Sequence, residues 1–308
     1  MAKTYSVAID GPAGAGKSTV AKALAKELGY HYVDTGAIYR TVAYFLDLWG
    51  VSPKDIDGVT RYIDELTIDI DYVEDGKQHM IMNGMDVTED IRTQDVAQKA
   101  SLVSAHAVVR DVLLDMQRSV AKQHNVIMDG RDIGTVVLPR ATVKIFLTAS
   151  AEVRAKRRTE ELTAKGQKAD FTTVLKEIQQ RDYQDMNRPI APLKQAKDAI
   201  LLDTSDLTTE QVIAAAKKIV EEKLAVESGY WFNFRYNPVL AAEGKDAFSL
   251  DSKEPTGDYQ EFLKGENRYA SLAKFNPTRA AELFASAEAN AKERYEHLKK
   301  LVTLYAGE

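Results

Sequence analysis

Eight consecutive residues, Gly11-Pro12-Ala13-Gly14-Ala15-Gly16-Lys17-Ser18, followed by Thr19, fit the pattern G-x-x-x-x-G-K-[ST]. This spacing suits the holding of a polyphosphate. Glycines let main-chain N–H groups converge on phosphate oxygens without obstruction by Cβ atoms. A helix opening at Lys17 directs about half a positive charge at the same anion. The Lys17 ammonium can bridge β- and γ-phosphates, and the Ser18 hydroxyl can ligate Mg²⁺. A glycine-rich turn with no ligand accounts for neither the complete pattern nor its placement.

Three further clusters carry arginine and carboxylate together: Asp34-Thr35-Gly36-Ala37-Ile38-Tyr39-Arg40, Asp129-Gly130-Arg131-Asp132, and Arg181 to Pro189. If the last is helical throughout, Arg181, Asp185 and Arg188 share one face at i, i+4 and i+7. Arg154, Arg157 and Arg158 lie at i, i+3 and i+4. Taken singly, each cluster can be a surface ion pair of little consequence. Beside a phosphate loop, they suit transfer to an acceptor that is itself a phosphate. Such an acceptor is already anionic and needs no strong general base, whereas two polyanions must be neutralised and aligned. Asp129 closes an apolar run and is either a carboxylate acting on Mg²⁺ through water or a strand-end turn residue. No N-K-x-D guanine-reading motif occurs.

The elements that must position these groups alternate. Tyr5–Ile9 is β-prone, Lys17 to Leu28 is amphipathic, and Val126–Met128 and Val143–Leu147 are short apolar runs fit for buried parallel strands. Helical patterns lie between and after them, so an α/β fold with a mostly parallel sheet flanked by helices is expected. Residues 66–87 break the rhythm. Ile68, Ile70 and Tyr72 alternate, Glu74-Asp75-Gly76 offers a turn, and His79–Met82 follows, which predicts a small antiparallel insertion. A Lys/Glu-rich helix is expected from Thr209 to about Ala225, with a domain boundary near 225. Of 25 aromatic residues, 13 fall after that point, so the change of character is aromatic.

Composition narrows the function further. The 41 basic and 46 acidic residues give a net charge of −5, which disfavours a large duplex nucleic-acid footprint. No cysteine is present, which removes disulfides, thiolate metal sites and cysteine nucleophiles. No run approaches the ~20 apolar residues of a membrane span, and the N-terminus lacks an apolar signal region. The expectation is a soluble cytoplasmic protein with no nucleic-acid or membrane partner.

Residues 1 to about 225 resemble the bacterial cytidylate kinase family. The resemblance is carried by IDGPAGAGKST at Ile9–Thr19, DTGAIYR at Asp34–Arg40, DGRDIGTVV at Asp129–Val137, AKRR at Ala155–Arg158, and the stretch from Arg181 to Leu193. It implies the P-loop nucleoside monophosphate kinase fold and phosphoryl transfer from ATP to CMP or dCMP, with Mg²⁺ as the only cofactor. ATP is expected on Gly11 to Thr19 together with Arg154, Arg157 and Arg158 of a lid spanning about 152–188. The acceptor is expected in an insertion spanning about 40–105. Ser101, Arg110 and Asp132 are implied as cytosine readers, with Asp132 accepting from the exocyclic amine that uracil lacks. Arg40, Arg131 and Arg188 are implied around the acceptor phosphate, Arg181 and Asp185 at the ribose hydroxyls, and Thr35 elsewhere among the CMP-binding residues. Lys17, Arg131, Arg158 and Arg188 are the implied catalytic cations, with Ser18 and Asp129, the latter through water, on Mg²⁺. Met186 stands where the family commonly has a small serine.

Residues 229–307 resemble the C-terminal segment of pyruvate:ferredoxin oxidoreductase, through GYWFNFRYNP, EGKDAFSLDSKEP and DYQEFLKGENRYASL. The cofactor-binding parts of that family are absent, so residues 226–308 are expected to be a non-catalytic, mainly helical extension. Thr278–Leu304 carries a helical apolar stripe after Pro277 and is expected to pack on the kinase body or on a partner protein, with the aromatic segment before it extended or looped. Two other functions remain open at this point. One is a related kinase acting on another small acceptor, such as uridylate or shikimate. The other is a binding protein dominated by its tail, with a regulatory nucleotide site.

Overall fold

The computed structural model describes residues 4–72 and 78–307. The expected turn at Glu74-Asp75-Gly76 therefore lies outside the described residues. The chain divides into two compact units, residues 4–217 and residues 218 onward. The division falls inside one helix, upstream of the aromatic change near 225.

In chain order the first unit runs β1 (Ser6–Asp10), α1 (Lys17–Leu28), β2 (His31–Asp34), α2 (Thr35–Leu48), α3 (Ile56–Tyr62), β3 (Ile68–Tyr72), β4 (Gln78–Met82), β5 (Met85–Asp86), α4 (Gln94–Val103) and α5 (Ala107–Gln123). It continues through β6 (Val126–Gly130), β7 (Val143–Thr148), α6 (Ala151–Ala164), α7 (Phe171–Asn187), β8 (Ile200–Asp203) and the start of α8 (Thr209–Glu227). Five parallel strands form one sheet in the order β2-β6-β1-β7-β8. Helices on both faces exclude water from its centre, which is why β1, β6 and β7 are predominantly apolar and buried, Lys144 of β7 apart. Parallel pairing also puts every carboxyl end on one edge, so Asp10, Asp34 and Asp129 meet there; Asp34 and Asp129 are register partners.

The insertion is antiparallel, in the order β3-β4-β5. Met80 and Met82 of β4 bury against Ile38, Phe45 and Leu46 of α2 within the largest apolar cluster. The strands β2 and β8 were not anticipated. Each has four residues; β2 carries His31 and Asp34, and β8, although it holds Ile200, Leu201 and Leu202, is a half-exposed edge strand. One expectation is corrected: Arg188 is not helical. Its φ/ψ of −63/140 is extended because Pro189 crowds a helical residue before it, and α7 stops at Asn187. Arg181 and Asp185 remain on α7.

The second unit holds the remainder of α8, then β9 (Phe234–Tyr236), α9 (Pro238–Ala242), β10 (Phe248–Leu250), α10 (Tyr259–Gly265), α11 (Asn267–Phe275) and α12 (Pro277–Leu304). Pro277 takes the first helical position, and Asn276 caps the helix by accepting from Arg279 N–H. The stripe Ala280, Phe284 and Ala291 of α12 packs on Tyr259 and Leu263, and Tyr295 with Leu298 packs on Phe232 and Phe248. The aromatic segment is thus partly an antiparallel pair, β9 with β10. Among the described residues, no helix is long and apolar enough to cross a membrane.

A Cβ on Gly11 would sit 1.9 Å from the Leu147 carbonyl oxygen of β7, so the loop can leave β1 only through glycine. Gly11→Ala is expected to lower the melting temperature by about 3–10 °C, as followed by circular dichroism, because backbone and not a flexible side chain must move.

Candidate active site

The phosphate loop is pinned between strands and helix. Gly16 adopts φ 89° immediately before α1, a conformation that favours glycine. Lys17 is buried, and its Nζ donates to the Pro12 carbonyl at 2.7 Å, across the loop. Burial first, and the nearby Arg131 charge second, lower its pKa well below the usual lysine value. A bound phosphate would reverse that effect by supplying negative charge.

Behind the loop, Ser18 Oγ donates to Asp129 Oδ2 at 2.8 Å, and Tyr32 Oη donates to Oδ1 at 3.0 Å. Thr35 Oγ1 donates to the Asp129 carbonyl at 2.7 Å. Burial, followed by the charge of Asp34, pushes the Asp129 carboxyl up to about 6. The Lys17 charge offsets this only in part, and a buried carboxylate beside a hydroxyl is an oxygen donor set suited to a hard divalent ion such as Mg²⁺. Among the described residues no cluster of three or more His, Cys, Asp or Glu could cage a metal by itself. Any ion there would take its remaining ligands from phosphate and water.

The facing wall is cationic. Asp34 caps α2 by accepting from Ala37 N–H, and its other oxygen pairs with Arg40 at 3.0 Å. Arg40 Nε is buried with no hydrogen-bond partner among the described residues, so the guanidinium retains a donor for an anion. Arg131 donates to Asp185 at 2.8 Å. Burial, then the Arg131 charge, lowers the pKa of Arg181, and Arg40 acts in the same direction. Asp132 is buried between two arginines. Arg110 donates to its Oδ2, and Arg188 donates to its Oδ1 at 3.1 Å and to Ala191 O at 2.6 Å. Arg110 also donates to Ser104 O and lies over the Tyr39 ring.

One cavity of about 430 Å³ is lined by Lys17, Ser18, Thr35, Arg40, Ser101 and Arg181, with Arg131, Asp132, Asp185 and Arg188 also on its wall. A neighbouring cleft of about 1010 Å³ shares Ala13, Gly14, Ser18, Arg40, Ser101 and Arg181, and adds Arg158. The three arginines of α6 diverge. Arg154 forks onto Asp182 at 2.6 and 3.0 Å and donates to Ala13 O in the phosphate loop. Arg157 donates to Thr204 and lines neither space. Arg158 pairs with Glu161 at the surface. Helical spacing put all three on α6 but did not give their directions.

Asp10, Tyr32 and Asp182 are polar partners that the sequence reading missed. Asp10 lies inside the motif at Ile9–Thr19 and Asp182 inside the cluster Arg181 to Pro189, while Tyr32 precedes Asp34 by two residues, so position in or near a motif was the only available signal. The family model for cytidylate kinase matches residues 7–222. The chain is 45% identical over 223 residues to the Clostridium tetani cytidylate kinase, covering 72% of this chain and 96% of that protein. It is 49% identical over 217 residues to the Lactobacillus johnsonii cytidylate kinase, covering 70% and 94%.

Without nucleotide, Asp129 has a consequence for stability. Its folded-state value is about 6 against an ordinary 3.8, so between these values the folded chain holds a proton that the unfolded chain has released. Raising the pH through that window charges a buried group and costs stability. The melting-temperature difference, wild type minus Asp129→Asn, is expected to fall from about pH 4 to about pH 6 and then level off. Calorimetry without Mg²⁺ checks this, and a flat difference contradicts it.

Proposed function

The chain belongs to the cytidylate kinase family, and from that premise we propose that it transfers the γ-phosphoryl group of ATP to CMP and dCMP. The observation that carries this proposal is the meeting of Lys17 with Arg40, Arg131, Arg181 and Arg188 around one cavity, although the arginines come from separate stretches of chain. The loop N–H groups and Lys17 hold the donor phosphates. Arg40, Arg131 and Arg188 neutralise the acceptor phosphate and align it for in-line attack. No histidine lines the cavity, and none is needed, since the attacking oxygen is already anionic. Mg²⁺, when bound near Ser18 and Asp129, offsets charge on the transferring phosphoryl group.

Asp132 selects the base. Its carboxylate accepts from the cytosine amine, while Arg110 and Arg188 hold it in place; uracil offers no such donor, leaving the buried acceptor short of a bond. Arg181 and Asp185 face the ribose, and Ser101 the base. Closure of α6 and α7 over the donor would exclude water and suppress hydrolysis of ATP. Residues 226–308 take no part in the transfer. Their aromatic residues pack on one another, and the surface they leave, with Trp231 and Phe275 exposed, is open to a protein contact.

ATP consumption across CMP, dCMP, UMP, AMP and shikimate tests the assignment. CMP and dCMP are expected to dominate, and a clear preference for any other acceptor refutes it. Lys17→Ala is expected to lower kcat about a hundredfold or more, by loss of charge stabilisation at the phosphates. Asp132→Asn should reduce the CMP-over-UMP preference about tenfold or more while leaving the KM for ATP nearly unchanged.

A further inference from the structure

Asp10 ends β1 beside the glycine loop, and although its charge acts on Lys17, its hydrogen bonds go elsewhere. It is 4% exposed, and each carboxylate oxygen accepts one main-chain N–H: Oδ1 from Ile133 and Oδ2 from Gly134, both at 2.7 Å. These donors belong to the two residues that follow Asp132 and open a π-turn, Ile133–Val137. The far end of that turn is held independently, since Arg118 donates to the Val136 and Val137 carbonyls at 3.0 Å. The end that bears Asp132 is held by Asp10.

We propose that Asp10 is a positioning residue for base selection: by gripping Ile133 and Gly134 it fixes the main chain from which the Asp132 carboxylate reaches between Arg110 and Arg188. The proposal rests on the base-reading role of Asp132 given above. Two adjacent N–H donors need two acceptors, and an ionised carboxylate presents one oxygen to each. An asparagine amide would offer one oxygen and turn its NH₂ against the second donor. Burial pushes the Asp10 carboxyl up to about 6, with the two N–H bonds pulling it back, so the doubly accepting form prevails at neutral pH. Gly134 completes the fit: a Cβ there would stand 3.2 Å from Asp10 Oδ2 and 3.1 Å from Lys144 Cδ.

Steady-state kinetics of the full chain test this with Asp10→Asn and, in parallel, Asp132→Asn. Asp10→Asn is expected to raise the KM for CMP about tenfold and lower the CMP/UMP ratio of kcat/KM to a similar degree, with kcat and the KM for ATP within about threefold. A general loss of structure would instead move both KM values together, and that outcome, or an unchanged KM for CMP and CMP/UMP ratio, overturns the proposal. If Asp10→Asn does not fold by circular dichroism, Gly134→Ala crowds the same oxygen without removing it. A selective rise in the KM for CMP of about threefold is then expected, and no rise overturns the proposal. An Asp132→Asn variant with intact CMP/UMP preference would sink the base-reading role itself. Loss of preference in Asp132→Asn but not in Asp10→Asn would sink only the role of Asp10.

Discussion

Repulsion among like charges is the constraint on which the site depends. Several guanidinium groups and one ammonium are crowded at one sheet edge, and two unit charges about 4 Å apart near a protein surface repel by about 4 kcal/mol. Carboxylates spaced among them relieve that cost: Asp34 pairs with Arg40, Asp185 with Arg131, Asp182 with Arg154, and Asp132 with both Arg110 and Arg188. Each pairing also orients a fork, so the cations are directed before any anion arrives. Preorganisation of this kind is where electrostatic catalysis draws its advantage, because little reorganisation remains for the moment of transfer.

The same edge carries the converse problem. Asp10 and Asp129 are buried so fully that their ionised forms are costly, and both carboxyls titrate near 6. Their partners differ in kind. Asp10 is matched by two main-chain N–H groups and acts on the backbone. Asp129 is matched by a serine and a tyrosine hydroxyl, neutral donors that leave its charge available to a cation. Two carboxylates on neighbouring strands thereby take different parts, one holding a turn and the other suited to a metal ion.

The second unit obeys simpler rules. Its aromatic residues bury against each other through α12: Phe232 stacks on Tyr295, and Tyr269 meets Phe284 edge-on. The apolar stripe of α12 thus has aromatic partners within its own unit.

Local chemistry is what the sequence determined. The glycine loop, the start of α1 at Lys17, the apolar run Val126–Met128 leading to Asp129 and the alternation of Ile68, Ile70 and Tyr72 were all legible, because each depends on residue type at short spacing. The extended Arg188 was legible too, in Pro189, but the helical spacing of its neighbours hid it. For pairs distant in sequence, tertiary structure alone decided which carboxylate meets which arginine. Arg154 and Arg157 share a helix yet reach Asp182 and Thr204, since a side chain's direction depends on what packs beside its helix, whereas Arg158 stays with Glu161 three residues on. Asp10 and Gly134 lie 124 positions apart and touch only because β1 and β6 pair in parallel register, a juxtaposition that no local pattern encodes.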